Sequence, residues 1–182
     1  TIAYSGDYRF HGFKPDMTED FIRAAKKAGA DYLITEGTRI RASNDGVFKK
    51  RMTESDVENE FCETMKKSQG LTCFNFSFRN LDRVRSLCNA AKRAGKVLVC
   101  NPGFGYAVDN TRHLVEGMPE VLGNSNIKIF NKDGDISSED KRSYIYAKPY
   151  LEKTVDYKWV KKNLKDTVMF MSASELSQLI DI

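Results

Sequence analysis

The sequence predicts a three-layer α/β fold built on a mostly parallel sheet. Three observations predict it. Short apolar runs alternate with amphipathic segments of helical period almost throughout the chain. Most of those helical segments are closed by a glycine and opened by a capping residue. Residues 71 to 100 also form a strand–helix–strand unit of the usual crossover length, which implies parallel strands and a right-handed connection.

Taken in order, Ile2 to Tyr4 reads as a short strand. Phe21 to Ala28 reads as a helix, with Thr18 as its N-cap and Gly29 as its stop. "DYLITEG" (31 to 37) is a second strand ending in Glu36-Gly37. Residues 41 to 52, "RASNDGVFKKRM", are polar, basic and turn-rich, the composition of a loop or linker. In "TESDVENEFCETMKKSQG" Thr53 and Asp56 stand at capping-box spacing, and Val57, Phe61 and Met65 recur every four residues on one apolar face. "LTCFNF" (71 to 76) is a strand. "NLDRVRSLCNAAKRAG" is a helix with Leu81, Val84, Leu87, Cys88 and Ala91 inward, and "KVLVC" is the strand after it.

The second half is predicted as a helix in "GYAVDNTRHLVEG", a strand in "IKIF", and a charged surface loop over 131 to 142. A helix around Trp159 follows, then a strand in "TVMFMS" and a final helix in "SELSQLI" capped by Ser174. No internal repeat or low-complexity tract interrupts the pattern.

Composition narrows the function classes. Hydrophobic residues make up 41% and charged residues 30%, the balance of a water-exposed globular fold. Lys plus Arg exceed Asp plus Glu by 29 to 25, a mild excess that permits a polyanionic partner without demanding one. No apolar run approaches the roughly 18 residues of a membrane helix, and no signal-peptide pattern is present. The four cysteines include no Cys-x-x-Cys pair, and three lie inside apolar patterns, which favours buried free thiols in a reducing, cytoplasmic setting. Both ends interrupt patterned sequence, so the chain reads as a piece of something longer.

Few residues offer chemistry. Glu36 lies at the C-terminal end of a strand, where open parallel sheets build their sites, and reads as either a ligand or a turn-capping acid. Asp7, after Gly6, has the same placement and the same two readings, ligand or Asx turn. "DGD" at 133 to 135 lacks the downstream acids of a calcium loop. "NPGFGYAVD" places Gly103 and Gly105 between strand and helix, a weak nucleotide-cradle signal without its third glycine. His11 and His113 are the only imidazoles, too few for a two-metal site. No catalytic triad or Walker loop is present.

In order and spacing, these segments resemble the β-CASP branch of the metallo-β-lactamase hydrolases, most closely its ribonuclease J-like, RNA-processing members. Three stretches carry the likeness: "YSGDYRF", "DYLITEGTR" and "FNFSFRNLDRVRSLCNAAKRAGKVLV". The late "KDTVMFMSASELSQLI" fits the β-CASP insert less specifically. The resemblance implies that residues 1–40 are a C-terminal-side fragment of the αββα metallo-β-lactamase domain and 41–182 an incomplete β-CASP-like domain. It implies that Asp7 is a bridging metal ligand, that Glu36 and Thr38 belong to the catalytic set, and that Ser77, Asn80 and Arg83 lie near the RNA backbone. It also implies two zinc ions in the intact parent, absent or weakly held in this piece. RNA and the missing metallo-β-lactamase domain would be partners, with no membrane and with self-association open. The His-x-His-x-Asp-His motif of the family is absent, so the piece alone is expected to be inactive. The alternative is a stand-alone, non-catalytic module for RNA binding or protein interaction.

Overall fold

The computed structural model describes residues 1–37, 52–131 and 144–182. Thr38, the turn-rich 41–51 segment and the charged stretch 132–142 lie outside the described residues. The chain packs as two compact units, Thr1–Asp56 and Val57–Ile182.

The first unit holds β1 (Ile2–Tyr4), α1 (Pro15–Lys27) and β2 (Tyr32–Ile34). The two strands pair in parallel, with Ile2 opposite Tyr32 and Tyr4 opposite Ile34. Pro15 starts α1, where a missing N–H costs nothing. Thr18 is therefore not the cap. It lies inside the helix, buried, and its hydroxyl donates to the Arg9 carbonyl (3.4 Å). Gly29 ends the helix with φ of +61°, a conformation that disfavours any side chain.

Helix α2 (Glu54–Lys67) carries the boundary between the units. Its capping box is formed as predicted: Asp56 N–H donates to Thr53 Oγ1 (3.1 Å), and Thr53 N–H donates to the Asp56 carboxylate (2.8 Å).

The second unit is a five-stranded, all-parallel sheet. Its strands are β3 (Thr72–Phe74), β4 (Val97–Cys100), β5 (Ile127–Phe130), β6 (Thr154–Val155) and β7 (Thr167–Phe170). Their spatial order is β3-β7-β4-β5-β6. The predicted crossover from β3 through α3 (Leu81–Arg93) to β4 is present, but β7 returns to lie between its two strands. Helix α4 (Pro102–Thr111) leads on to β5. A short α5 (Tyr144–Ala147) and a 3-10 segment, Lys148–Lys153, precede β6, and α6 (Tyr157–Lys162) precedes β7.

Both faces of this sheet are covered. On one, Leu98, Cys100, Ile127, Ile129, Val168 and Phe170 pack with Cys62, Met65, Val84, Leu87, Phe104 and Tyr150. On the other, Val99, Phe130, Met169 and Met171 pack with Val160, Trp159 and Leu179. Successive strand residues alternate between the two clusters, as the period of two requires. The final segment, Ala173–Asp181, is 3-10 rather than α-helical, and its N-cap is Ser172 rather than Ser174. No described helix is long and apolar enough to cross a membrane.

Cys62, Cys88 and Cys100 are buried free thiols and Cys73 is exposed. Burial pushes the Cys88 thiol up to about 12 and holds Cys100 well above its ordinary value of 9.0. Burial, aided by a hydrogen bond to Asp109, also raises the Tyr150 phenol. Each of these groups has its protonated form favoured by folding. Their contribution is complete below about pH 9 and is lost as pH rises toward 12. Lys153, lowered chiefly by burial, opposes them only in part. Urea-unfolding midpoints should therefore fall through this alkaline window, and replacing Cys88 with alanine should flatten the fall.

Candidate functional site

Within the first unit, the parallel pairing brings two acid-bearing loops to one sheet edge. Ser5 N–H donates to the Ile34 carbonyl (3.0 Å), and Ser5 Oγ donates to Thr35 Oγ1 (3.2 Å). Asp7 follows two residues after Ser5 and is exposed, with Gly6 at φ +56° turning the chain. Glu36 follows Thr35 and is half-buried. Both therefore stand beyond the C-terminal ends of neighbouring parallel strands, the edge at which such sheets place ligands. Among the described residues, no three His, Cys, Asp or Glu side chains converge as a metal group. The described residues thus do not complete a zinc site.

A buried ion pair lies just beyond these loops. Arg9 Nη2 meets Glu54 Oε1 at 2.9 Å, and Glu54 is 1% exposed. Arg9 Nε donates to His11 Nε2 (3.1 Å). The His11 carbonyl accepts from Glu54 N–H (2.9 Å). His11 thus holds the arginine that neutralises a buried carboxylate, a role its sequence position did not indicate. Arg9 and Glu54 are 45 residues apart, and no spacing rule connects them.

In the second unit, Ser77, Asn80 and Arg83 share one turn at the C-terminal end of β3. Asn80 is the N-cap of α3: its Oδ1 accepts from the Arg83 N–H (3.3 Å), and its own N–H donates to the Ser77 carbonyl (3.0 Å). Ser77 is exposed, and Arg83 and Asn80 are half-buried. The structure thus brings the three predicted RNA-contact residues together locally.

In the "NPGFG" segment the helix start is closed by its own side chain. Asn101 Oδ1 caps α4 by accepting from Phe104 N–H (2.8 Å), and Pro102 removes a further donor. Gly105 is a packing glycine, because a Cβ there would stand 2.8 Å from Ile129 Cδ1. His113 lies in a 3-10 turn, Arg112–Leu114, after the helix.

A polar staple that the sequence reading did not name joins Asn101 to the segment after β7. Glu175 Oε2 accepts from Ser172 N–H (2.7 Å) and Ser172 Oγ (2.8 Å), while Oε1 accepts from Asn101 Nδ2 (3.2 Å). These bonds tie the loops after β7 and β4 together. The Ser-x-x-Glu spacing of a capping box was its signal. No family model, no curated protein and no solved structure matches this chain.

Asn80→Ala should destabilise the protein by about 1 kcal/mol through loss of the cap, whereas Asn80→Ser should retain most of it. Urea denaturation followed by far-UV circular dichroism measures the difference.

Proposed function

We propose that this chain is part of a zinc-dependent RNA-processing ribonuclease of the β-CASP metallo-β-lactamase type. In this reading it supplies the RNA-clamping region and is inactive alone. One observation carries it. The β1–β2 pair is bare on both faces: Ile2, Tyr4, Tyr32, Leu33 and Ile34 are 64, 71, 71, 60 and 53% exposed. Parallel strands are found with both faces covered, and two strands alone are too few for independent stability. Such a pair suits the continuing sheet of a larger body, which the metallo-β-lactamase domain of the parent would provide. Asp7 and Glu36 would then stand at the edge where that domain completes the metal set. Two metal ions in such a parent would activate a water and stabilise the attacking and leaving oxygens of a phosphodiester. The buried thiols fit a reducing, cytoplasmic setting.

The alternative, a non-catalytic RNA-binding or protein-interaction module, draws on the second unit. Its sheet is covered on both faces by its own helices, as an independent module requires. Joining the chain to its preceding coding sequence separates the two. Gain of tightly held zinc and RNA cleavage supports the ribonuclease, and neither supports the module.

RNA contact is measured directly by fluorescence anisotropy of labelled single-stranded RNA. Affinity should fall steeply between about 50 and about 200 mM salt. Arg83→Ala should weaken it by about tenfold through loss of a charge-assisted contact. Affinity that ignores both salt and Arg83 would remove the clamp from the account.

A further inference from the structure

We propose that the far end of the same sheet edge carries a second subsite, a pocket that stacks one unpaired RNA base on Trp159. The proposal rests on the RNA reading above and adds a place on this chain that the resemblance does not assign.

A cavity of about 400 Å³ opens beyond the C-terminal ends of β5 and β6, lined by Asn131, Thr154, Val155, Asp156 and Trp159. That volume falls in the range of small-ligand sites. Its position is where open parallel sheets bind ligands, outside the carboxyl ends of the strands. The lining combines one large aromatic ring with three polar groups, the mixture that holds a planar heterocycle and reads its edge. Trp159 is half-buried, so part of its ring stays available.

The polar groups retain capacity. The Asn131 N–H is taken by the Val155 carbonyl (2.8 Å), but its side-chain Oδ1 is buried with no hydrogen-bond partner among the described residues. Thr154 Oγ1 donates to the Leu151 carbonyl (3.0 Å) and can still accept. Asp156 uses one carboxylate oxygen, Oδ1, on the Trp159 N–H (2.8 Å). Base amino and imino groups are the donors that such acceptors recognise.

Charge points to the same ligand. Lys128 Nζ lies over the Trp159 ring, 5.7 Å from its centre, so an incoming base would displace this ammonium and pair it with its own phosphate. Between Lys148 and Asp166 the chain carries six lysines against three acids, Glu152, Asp156 and Asp166. An aromatic platform with cations beside it is the arrangement that binds single-stranded nucleic acid. An acidic peptide would use the lysines and have no need of the ring. Because the strands are parallel, this pocket and the Ser77–Asn80–Arg83 turn lie at the same sheet edge. Four strand spacings separate them, about 19 Å, so one single strand could touch both.

Trp159 is the only tryptophan in the chain, so its fluorescence reports this pocket alone. The full 182-residue chain is titrated with unlabelled single-stranded oligo(A), duplex RNA and polyglutamate, while anisotropy of labelled oligo(A) records binding anywhere on the surface. The expected result is saturable quenching by oligo(A), with little from duplex RNA or polyglutamate. Charge reversal of the exposed pair, Lys161→Glu with Lys162→Glu, should weaken that quenching and lower its salt slope by about 1. Trp159→Ala should weaken anisotropy-detected binding by about tenfold. Trp159→Phe, which keeps a ring in the packed cluster, should weaken it less. RNA binding that is Arg83-sensitive yet leaves Trp159 unquenched would overturn the pocket and spare the clamp. No RNA binding at all would overturn both. Equal quenching by polyglutamate would overturn base stacking.

Discussion

The return of β7 to the middle of the sheet is the interaction on which the larger unit depends. Val168 and Phe170 face one core, Met169 and Met171 the other, and each neighbour of β7 is a strand from a distant part of the chain. Without it, β3 has no partner strand among the described residues, and the two hydrophobic clusters lose their shared wall. The chain reverses direction across the sheet at this step. The connections up to β6 run one way, and the α6 connection runs back along the other face. That reversal covers both faces, which a parallel sheet requires.

The same constraint explains why the two units differ. In the second, β4, β5, β6 and β7 each place a residue in a buried cluster, and Phe74 of β3 packs against one. In the first, the strands pair correctly, yet their apolar side chains meet solvent on either side. Local order there comes from elsewhere: the Arg9–Glu54 pair, the His11 hydrogen bonds to both of them, and Thr18 bonded to the Arg9 carbonyl. A buried ion pair of this kind fixes geometry more than it adds stability, since desolvation offsets much of the attraction.

What was legible in the sequence follows from the range of each interaction. The short apolar run in "KVLVC" and the period near four in "TESDVENEFCETM" are local, and both elements formed where they were read. The Thr53 cap is local as well. Pro15 and Ser172 were also local signals, but neighbouring Thr18 and Ser174 offered equally good cap chemistry, so the choice between them needed backbone geometry. Strand order was not legible, because β7 pairs Val168 with Thr72 of β3 and Thr167 with Val97 of β4, both far apart along the chain. Nor was the Trp159 pocket, whose lining comes from two strand ends and one helix. Asp7 and Glu36 were recognisable as strand-end acids, and only the register of β1 against β2 shows that they share an edge. The glycines of "NPGFG" carried a weak ligand signal, and spacing gave no hint that a Cβ on Gly105 would stand 2.8 Å from Ile129 Cδ1.

The central claim is that this chain contains one parallel sheet covered on both faces and one pair of parallel strands left bare. Amide hydrogen exchange on the isolated chain tests it most directly. The account predicts that the amides of Val99 and Met169 exchange at the rate set by global unfolding. Those of Ala3 and Leu33 should exchange at least about a hundredfold faster, as expected for a locally unsupported element. Equal protection in the two sheets would contradict it, because β1 and β2 would then be as stable as the covered sheet without further partners.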